Sequence, residues 1–431
     1  MKENLKRAIW IAMTAAMIAG LVAAMTYVTK NKEPHRQYSS YFTEQESFDV
    51  LYFGSSHTMC SVMPLEQWRE YGIASYNLGM SASMMPETYW TIVNALDYNT
   101  PKLIVLDCYL ITSQDKTYSI GQVHSFLDAF PMTLNKLRAI HSLSGDNQYI
   151  SRMDELGLIF KFLAYRQNWS AINKDSFNMT PSTEKGAHML THVSAPEPIE
   201  KTDKLPELEE SVLGVEYLYK IIDLCRERDI DLLLTYFPFP AWEERYEEAN
   251  LAGLIAQEEG LNYINFLDNG VVDYSIDCND SNSHLNAAGA KKVSSWLGKY
   301  ILDNYDIPDR RGDAAYAYWD GDYERYAEYK RSCAADAWNV YDYLMLINDA
   351  DLSVSYALRD GSWIAGNENI QKLLAALPQN GRDEPVLPEN VSLYVEVADQ
   401  SGTVLEELSR SFTDYELPSL NRNRAVGNAE E

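Results

Sequence analysis

Phe48-Asp49-Val50-Leu51-Tyr52-Phe53-Gly54-Ser55-Ser56-His57-Thr58 is a short apolar run that breaks on a glycine into two serines. A run without polar alternation is how a strand buried on both faces reads, and a glycine at its end permits the sharp turn that lifts the next side chain out of the sheet. A serine placed there is a candidate nucleophile. Far downstream, Asp280-Ser281-Asn282-Ser283-His284-Leu285-Asn286-Ala287-Ala288-Gly289-Ala290 supplies a histidine and an acid just ahead of a helix. A serine hydroxyl at neutral pH needs a base within hydrogen-bond reach, and that base needs a third group to orient it. His284 can be the base and Asp280 the orienting acid. Taken singly, Gly54-Ser55-Ser56 reads as an ordinary loop and His284 as a capping or surface histidine. Together they read as chemistry.

Between these stretches strands and helices alternate. Pro64 to Tyr71 reads as helix, Ala74 to Ser83 as a strand running into a loop, Tyr89 to Leu96 as helix, and Pro101 to Asp107 as a third strand. Glu210 to Arg228 is an amphipathic helix, Ile230 to Tyr236 a buried strand, Trp242 to Glu259 a helix, Tyr263 to Phe266 a short strand, and Asn286 to Leu302 a closing helix. Such alternation predicts an α/β fold with a parallel sheet covered on both faces, its active edge at the carboxyl ends of the strands. From about Ile111 to Leu205 the rhythm breaks into helical patterns, Ser125 to His141 and Ser151 to Tyr165, followed by a polar tail; this reads as an insertion that shapes a groove. Beyond Asp306, Tyr316 to Tyr329 is dense in tyrosine, tryptophan and acid, Ala334 to Leu346 reads as helix, Asp351 to Leu358 as a strand, and Asn390 to Phe412 as a hairpin turning at Asp399-Gln400-Ser401-Gly402.

Composition narrows the function. The 431 residues carry a formal net charge of −27, which repels nucleic acid, while 46% hydrophobic content with 30 tyrosines and 9 tryptophans is enough for a large core. Ala8 to Val28 is an uncharged, mostly apolar run preceded by Lys2, Lys6 and Arg7. As a helix it measures about 31 Å, enough to cross a bilayer, and the basic flank places its start in the cytoplasm and the body outside. A cleavable signal peptide is the rival reading; its apolar core would be shorter, roughly 7 to 15 residues. Cys60, Cys108, Cys225, Cys278 and Cys333 have neither metal-type nor disulfide-framework spacing, and neither a metal nor a cofactor is implied.

The serine and histidine stretches resemble the blocks of the SGNH (GDSL-type) hydrolases. Their Gly-Asp-Ser is matched by Gly54-Ser55-Ser56, which puts the nucleophile on Ser56; their Asn-x-Gly-x-Ser-Gly looks like Asn77-Leu78-Gly79-Met80-Ser81-Ala82; their Asp-x-x-His is matched in part by Asp280 and His284. The acid lies four residues before the histidine, with Asp277 as the other candidate. The third block, Gly-x-Asn-Asp, has no counterpart, because the third strand runs into Asp107-Cys108-Tyr109. The resemblance implies a flavodoxin-like three-layer sheet, catalytic Ser56, His284 and Asp280, and an oxyanion held by Ser56, Ala82 and Asn77. The lost asparagine removes one oxyanion donor, which typically costs on the order of 10² to 10³ in rate.

That loss, with a membrane anchor, resembles the extracytoplasmic members of the superfamily that handle acyl groups on cell-envelope polysaccharides beside multi-span membrane-bound O-acyltransferases. The resemblance implies O-acyl (acetyl) transfer to or from such a polymer, and the alternative is a non-catalytic scaffold of the same complex. Trp169, Tyr236, Phe237 and Trp242 are candidates for stacking on sugar rings or for core positions, and His57 for lining the acyl pocket or for an exposed loop. Phe237-Pro238-Phe239-Pro240, at a strand's carboxyl end, reads as a site wall or a rigid helix entrance. The organisation expected is 1–29 as cytoplasmic start and anchor through Ala8–Val28, 30–45 as linker, 46–304 as the α/β domain with its insertion at about 111–205, 305–420 as an α+β accessory domain, and 421–431 as a disordered tail.

Overall fold

The computed structural model describes residues 2–44, 46–117, 119–145, 147, 149–178, 180, 182, 184–196, 201–208, 211–280, 284–379 and 384–416. The tail expected at 421–431 lies outside the described residues. The fold is mixed α/β. Strands β1 (Val50–Phe53), β2 (Ser75–Asn77), β3 (Leu103–Asp107), β4 (Asp231–Tyr236) and β5 (Asn262–Asn265) form one sheet in the order β2-β1-β3-β4-β5, the order of flavodoxin-like sheets. β1 runs parallel to both neighbours, pairing Val50 with Ser75 and with Leu103. Its four residues are wholly buried, as an apolar run covered on both faces must be.

By contact density the chain forms two compact units, residues 1–59, 75–186 and 206–234 in the first, and 60–74, 187–205 and 235–431 in the second. In the first, the helix Lys2–Thr29 contains a stretch, Glu3–Thr29, long and apolar enough to cross a membrane. Residues read as a linker instead form a short helix, Glu33–Tyr38, and a 3₁₀ turn, Ser39–Phe42. Their tyrosines cause this. Tyr38 and Tyr41 are buried, with their hydroxyls donating to the carbonyls of Gly79 at 2.6 Å and Ala95 at 2.9 Å. The single helix expected over Ser125–His141 is two, Ile120–Leu127 and Leu134–Ser144. Pro131 lacks the N–H a continuous helix needs, and Thr133 caps the second helix by accepting from the Lys136 N–H at 3.1 Å. Likewise Ser151–Tyr165 divides into Arg152–Ile159 and Lys161–Tyr165 at Phe160, whose ψ of 79° leaves the helical region.

In the second unit, β6 (Leu352–Leu358), β7 (Leu393–Asp399) and β8 (Val404–Arg410) make an antiparallel sheet, and the hairpin turns where the sequence places it. The helix Tyr318–Asp336 is not legible in the sequence. Its buried stripe of Trp319, Tyr326, Ala327, Lys330 and Ala334 has helical spacing, but a lysine in the middle disguises it. Lys330 is buried because Asp349 and Glu66 lie 3.2 and 3.6 Å from its ammonium. Burial acts to lower the Lys330 ammonium and the two carboxylates reverse this, leaving it raised. Burial acts to raise the Asp349 carboxyl, but Lys330 and the Asp351 N–H overcome it and hold it down to about 2.

Removing one partner of a buried pair strands the other charge. Asp349→Asn should therefore lower unfolding stability by about 3 kcal/mol in denaturant titration at pH 7. Since the folded Asp349 sits below a free carboxylate, its contribution is present above about pH 4 and is lost as pH falls towards 2, so the difference between variant and parent should shrink over that window.

Candidate active site

In the first unit, β1 ends on Gly54, whose φ of +148° favours glycine; a Cβ there would lie 2.3 Å from Thr58 Oγ1 and 2.5 Å from Asp107 Cβ. The two serines that follow have different fates. Ser55 is buried; its hydroxyl donates to Asp107 Oδ2 at 3.3 Å and accepts the His57 N–H at 3.1 Å. Ser56 is half-buried and opens the short helix Ser56–Ser61. Asp107, at the end of β3 where the resembling family has an asparagine-bearing block, also takes the Thr58 hydroxyl at 3.4 Å. Sequence reading saw in Asp107 only a missing asparagine. Its place at the carboxyl end of the strand beside β1 is the signal that could have identified it as the brace of the serine turn.

The second block closes on the same turn. Asn77, at the end of β2, donates from Nδ2 to the Thr58 carbonyl at 2.8 Å and accepts the Gly79 N–H at 2.9 Å, so its amide ties the two loops together. A Cβ on Gly79 would come within 2.6 Å of the Met59 nitrogen, a close approach that only glycine permits. Ala82 is exposed with φ at +53°, the left-handed conformation that costs an L-residue about 1–2 kcal/mol and a glycine nothing. Gln122 Nε2 pins it by donating to its carbonyl at 2.6 Å. His57 is buried edge-on against Tyr109, with ring centroids 4.3 Å apart, not exposed on a loop. Cys60, two residues beyond Thr58, is buried and unbridged.

In the second unit, Cys278 and Leu285 pair as an isolated antiparallel bridge that frames the histidine loop. Within it Asp280 accepts twice from His284: its Oδ1 from the backbone N–H at 3.1 Å, and its Oδ2 faces Nδ1 at 2.8 Å. Asn286 caps the helix Ala287–Asn304 that follows, accepting from the N–H groups of Ala288 and Gly289 at 3.1 Å. Asp277 is buried, with both oxygens taken by Lys292 Nζ at 2.8 and 2.7 Å and one also by the Asp273 N–H at 2.7 Å. The four-residue spacing thus brings Asp280, not Asp277, onto the imidazole. Ser281, Asn282 and Ser283 lie outside the described residues.

Of the proposed sugar-stacking aromatics, Tyr236 and Phe237 are wholly buried, while Trp169 and Trp242 are exposed. Phe239 is buried too, so Phe237-Pro238-Phe239-Pro240 contributes core rings ahead of the helix Glu243–Glu259. The second unit also holds a cavity of about 620 Å³ lined by Tyr71, Lys291, Lys292 and Trp296 among others. Among the described residues no group of three or more His, Cys, Asp or Glu side chains is placed to hold a metal ion.

No protein-family model matches the chain, and no curated protein sequence does. Among solved structures, the chain is similar to a Bacteroides fragilis protein described as a "putative acylhydrolase", with a TM-score of 0.32 and 9% identity over 62% of this chain and 95% of that one.

The Ala82 loop rests on a buried acid. Glu87 Oε2 accepts from the Met84 N–H and from Gln122 Nε2, both at 2.9 Å, and burial pushes its carboxyl up to about 8. The fold therefore keeps a proton that the unfolded chain releases above about pH 4.3, so stability falls as pH rises from there to about 8 and then levels off. Glu87→Gln should flatten that fall, giving a higher thermal midpoint than the parent at pH 9 and a similar one at pH 5. Parallel midpoint curves for the two proteins would rule out a protonated Glu87.

Proposed function

We propose that this chain is a membrane-anchored serine acyl-handling enzyme of the SGNH type. Ser56 Oγ attacks the acyl carbonyl while His284 accepts its proton; Asp280 holds the imidazole in the tautomer and orientation that reaction needs. Collapse of the tetrahedral intermediate expels the donor's alcohol, which takes the proton back from His284, and leaves an ester on Ser56. In this reading the N–H groups of Ser56 and Ala82 serve the oxyanion; Asn77, expected beside them, instead ties the two loops together through Thr58 and Gly79. A hydroxyl of an envelope polysaccharide, or water, then discharges the ester, giving O-acetyl transfer or removal. Lys2, Lys6 and Arg7 ahead of the Ala8–Val28 anchor favour a cytoplasmic start and an extracytoplasmic body, and a multi-span O-acyltransferase is the partner that would supply acyl groups there.

The observation that carries this reading is the double engagement of His284 by Asp280, an imidazole oriented by a carboxylate at the start of a capped helix. A specific observation favours the second reading, a non-catalytic scaffold. The β3 end offers no asparagine, and the Asn77 amide is already committed to Thr58 and Gly79.

Active-site labelling separates the two. Full-length protein in detergent should be labelled by a fluorophosphonate, with labelling abolished in Ser56→Ala and slowed about 10³- to 10⁴-fold in Asp280→Asn. Release of acetate to water, measured against its transfer to an oligosaccharide, then distinguishes esterase from transferase. A folded parent protein that takes no label overturns the catalytic reading in favour of the scaffold.

A further inference from the structure

The insertion carries an exposed apolar surface that the proposed chemistry does not use. Met153, Leu156, Phe160, Trp169, Ile172 and Phe177 are each between 39% and 66% exposed, within 25 residues of chain. Single exposed hydrophobes are ordinary, but so many in one short segment call for a partner. The segment's position indicates which. The helix Lys161–Tyr165 and the 3₁₀ turns Arg166–Ala171 and Lys174–Phe177 all pack against the N-terminal helix Lys2–Thr29. Asn168 Nδ2 donates to the Thr29 carbonyl at 3.1 Å, one residue past the end of the apolar run Ala8–Val28. Where that run leaves a bilayer, Trp169 and its neighbours therefore stand at the level of the headgroups.

We infer that residues 153–177 form a collar around the base of the anchor, seated in the bilayer interface on the body's side of the membrane. This inference rests on the reading of Ala8–Val28 as a span. Tryptophan and phenylalanine at that depth bury an apolar face while their edges stay near water. Charge agrees with the placement: residues 153–177 balance Lys161, Arg166 and Lys174 against Asp154, Glu155 and Asp175, in a chain whose net charge is −27. The strongly acidic body would be repelled by anionic headgroups and this segment would not. At the seam, burial and the nearby Lys161 ammonium pull Lys30 down to about 8, a cost that an adjacent headgroup phosphate relieves.

The test uses the full chain in phosphatidylcholine vesicles whose acyl chains are brominated near the headgroup, with quenching of tryptophan fluorescence as the readout. Trp10→Phe removes the tryptophan of the anchor and reports the span; Trp169→Phe reports the collar; Trp338→Phe, exposed in the second unit, is the control. The expected result is that Trp10→Phe and Trp169→Phe each remove part of the quenched signal and Trp338→Phe removes none. Loss from Trp10→Phe alone overturns the collar and leaves the anchor standing, whereas loss from neither overturns both. If Trp169 is unquenched and the protein is a dimer in detergent that Phe160→Asp separates, a second copy covers the surface, and the bilayer assignment is overturned.

Discussion

Asp107 is the group on which the serine turn depends. It is a buried carboxylate at the end of β3 that receives the hydroxyls of Ser55 and Thr58 on either side of Ser56. A buried carboxylate is tolerated only when its lone pairs are taken, and the cheapest donors within reach are the residues just past the end of the adjacent strand β1. The constraint runs both ways. Gly54 has no Cβ because Asp107 and Thr58 occupy that space, and Gly79 has none because the turn's own backbone does. Asn77 then fastens the second block to the carbonyl of Thr58. Three residue positions that look like separate motifs in the sequence are one hydrogen-bonded assembly.

The histidine loop is built with similar economy. Its backbone is closed by the Cys278–Leu285 bridge and by Asn286, which caps one helix while donating to the carbonyls of Ile276 and Cys278 at 2.8 and 3.2 Å. Asp277 and Asp280 are three residues apart, yet their roles diverge because Lys292, one turn and a half into the helix, claims the first. That division puts Asp280, not Asp277, on the His284 imidazole, the arrangement expected of an acid that serves a general base.

Legibility differed by element for physical reasons. β1, β3 and β4 could be read directly, since burial on both faces demands uninterrupted apolar residues. The division of the insertion's helices at Pro131 and Phe160 was not anticipated, although Thr133 and Ser151 are ordinary caps. Tyr318–Asp336 is hidden because Lys330 interrupts its apolar stripe, and this lysine is buried by two distant carboxylates that converge on it, Glu66 and Asp349. Residues 33–42 passed for a linker since their apolar content is carried by tyrosines, whose hydroxyls needed the carbonyls of Gly79 and Ala95 to be buried.

By itself the sequence determined the α/β class, the parallel character of the sheet, the apolar N-terminal helix, and the candidates Ser55-Ser56 and His284, all of which rest on local residue pattern, while the preference for Ser56 over Ser55 came from the family resemblance. Tertiary structure decided which of two serines is locked away and which of two aspartates meets the imidazole. Both choices turn on hydrogen-bond partners distant in sequence or folded back upon the loop: Asp107 for Ser55, Lys292 for Asp277. A polar side chain's role is set by who satisfies it when water is excluded, and that is a property of the folded chain.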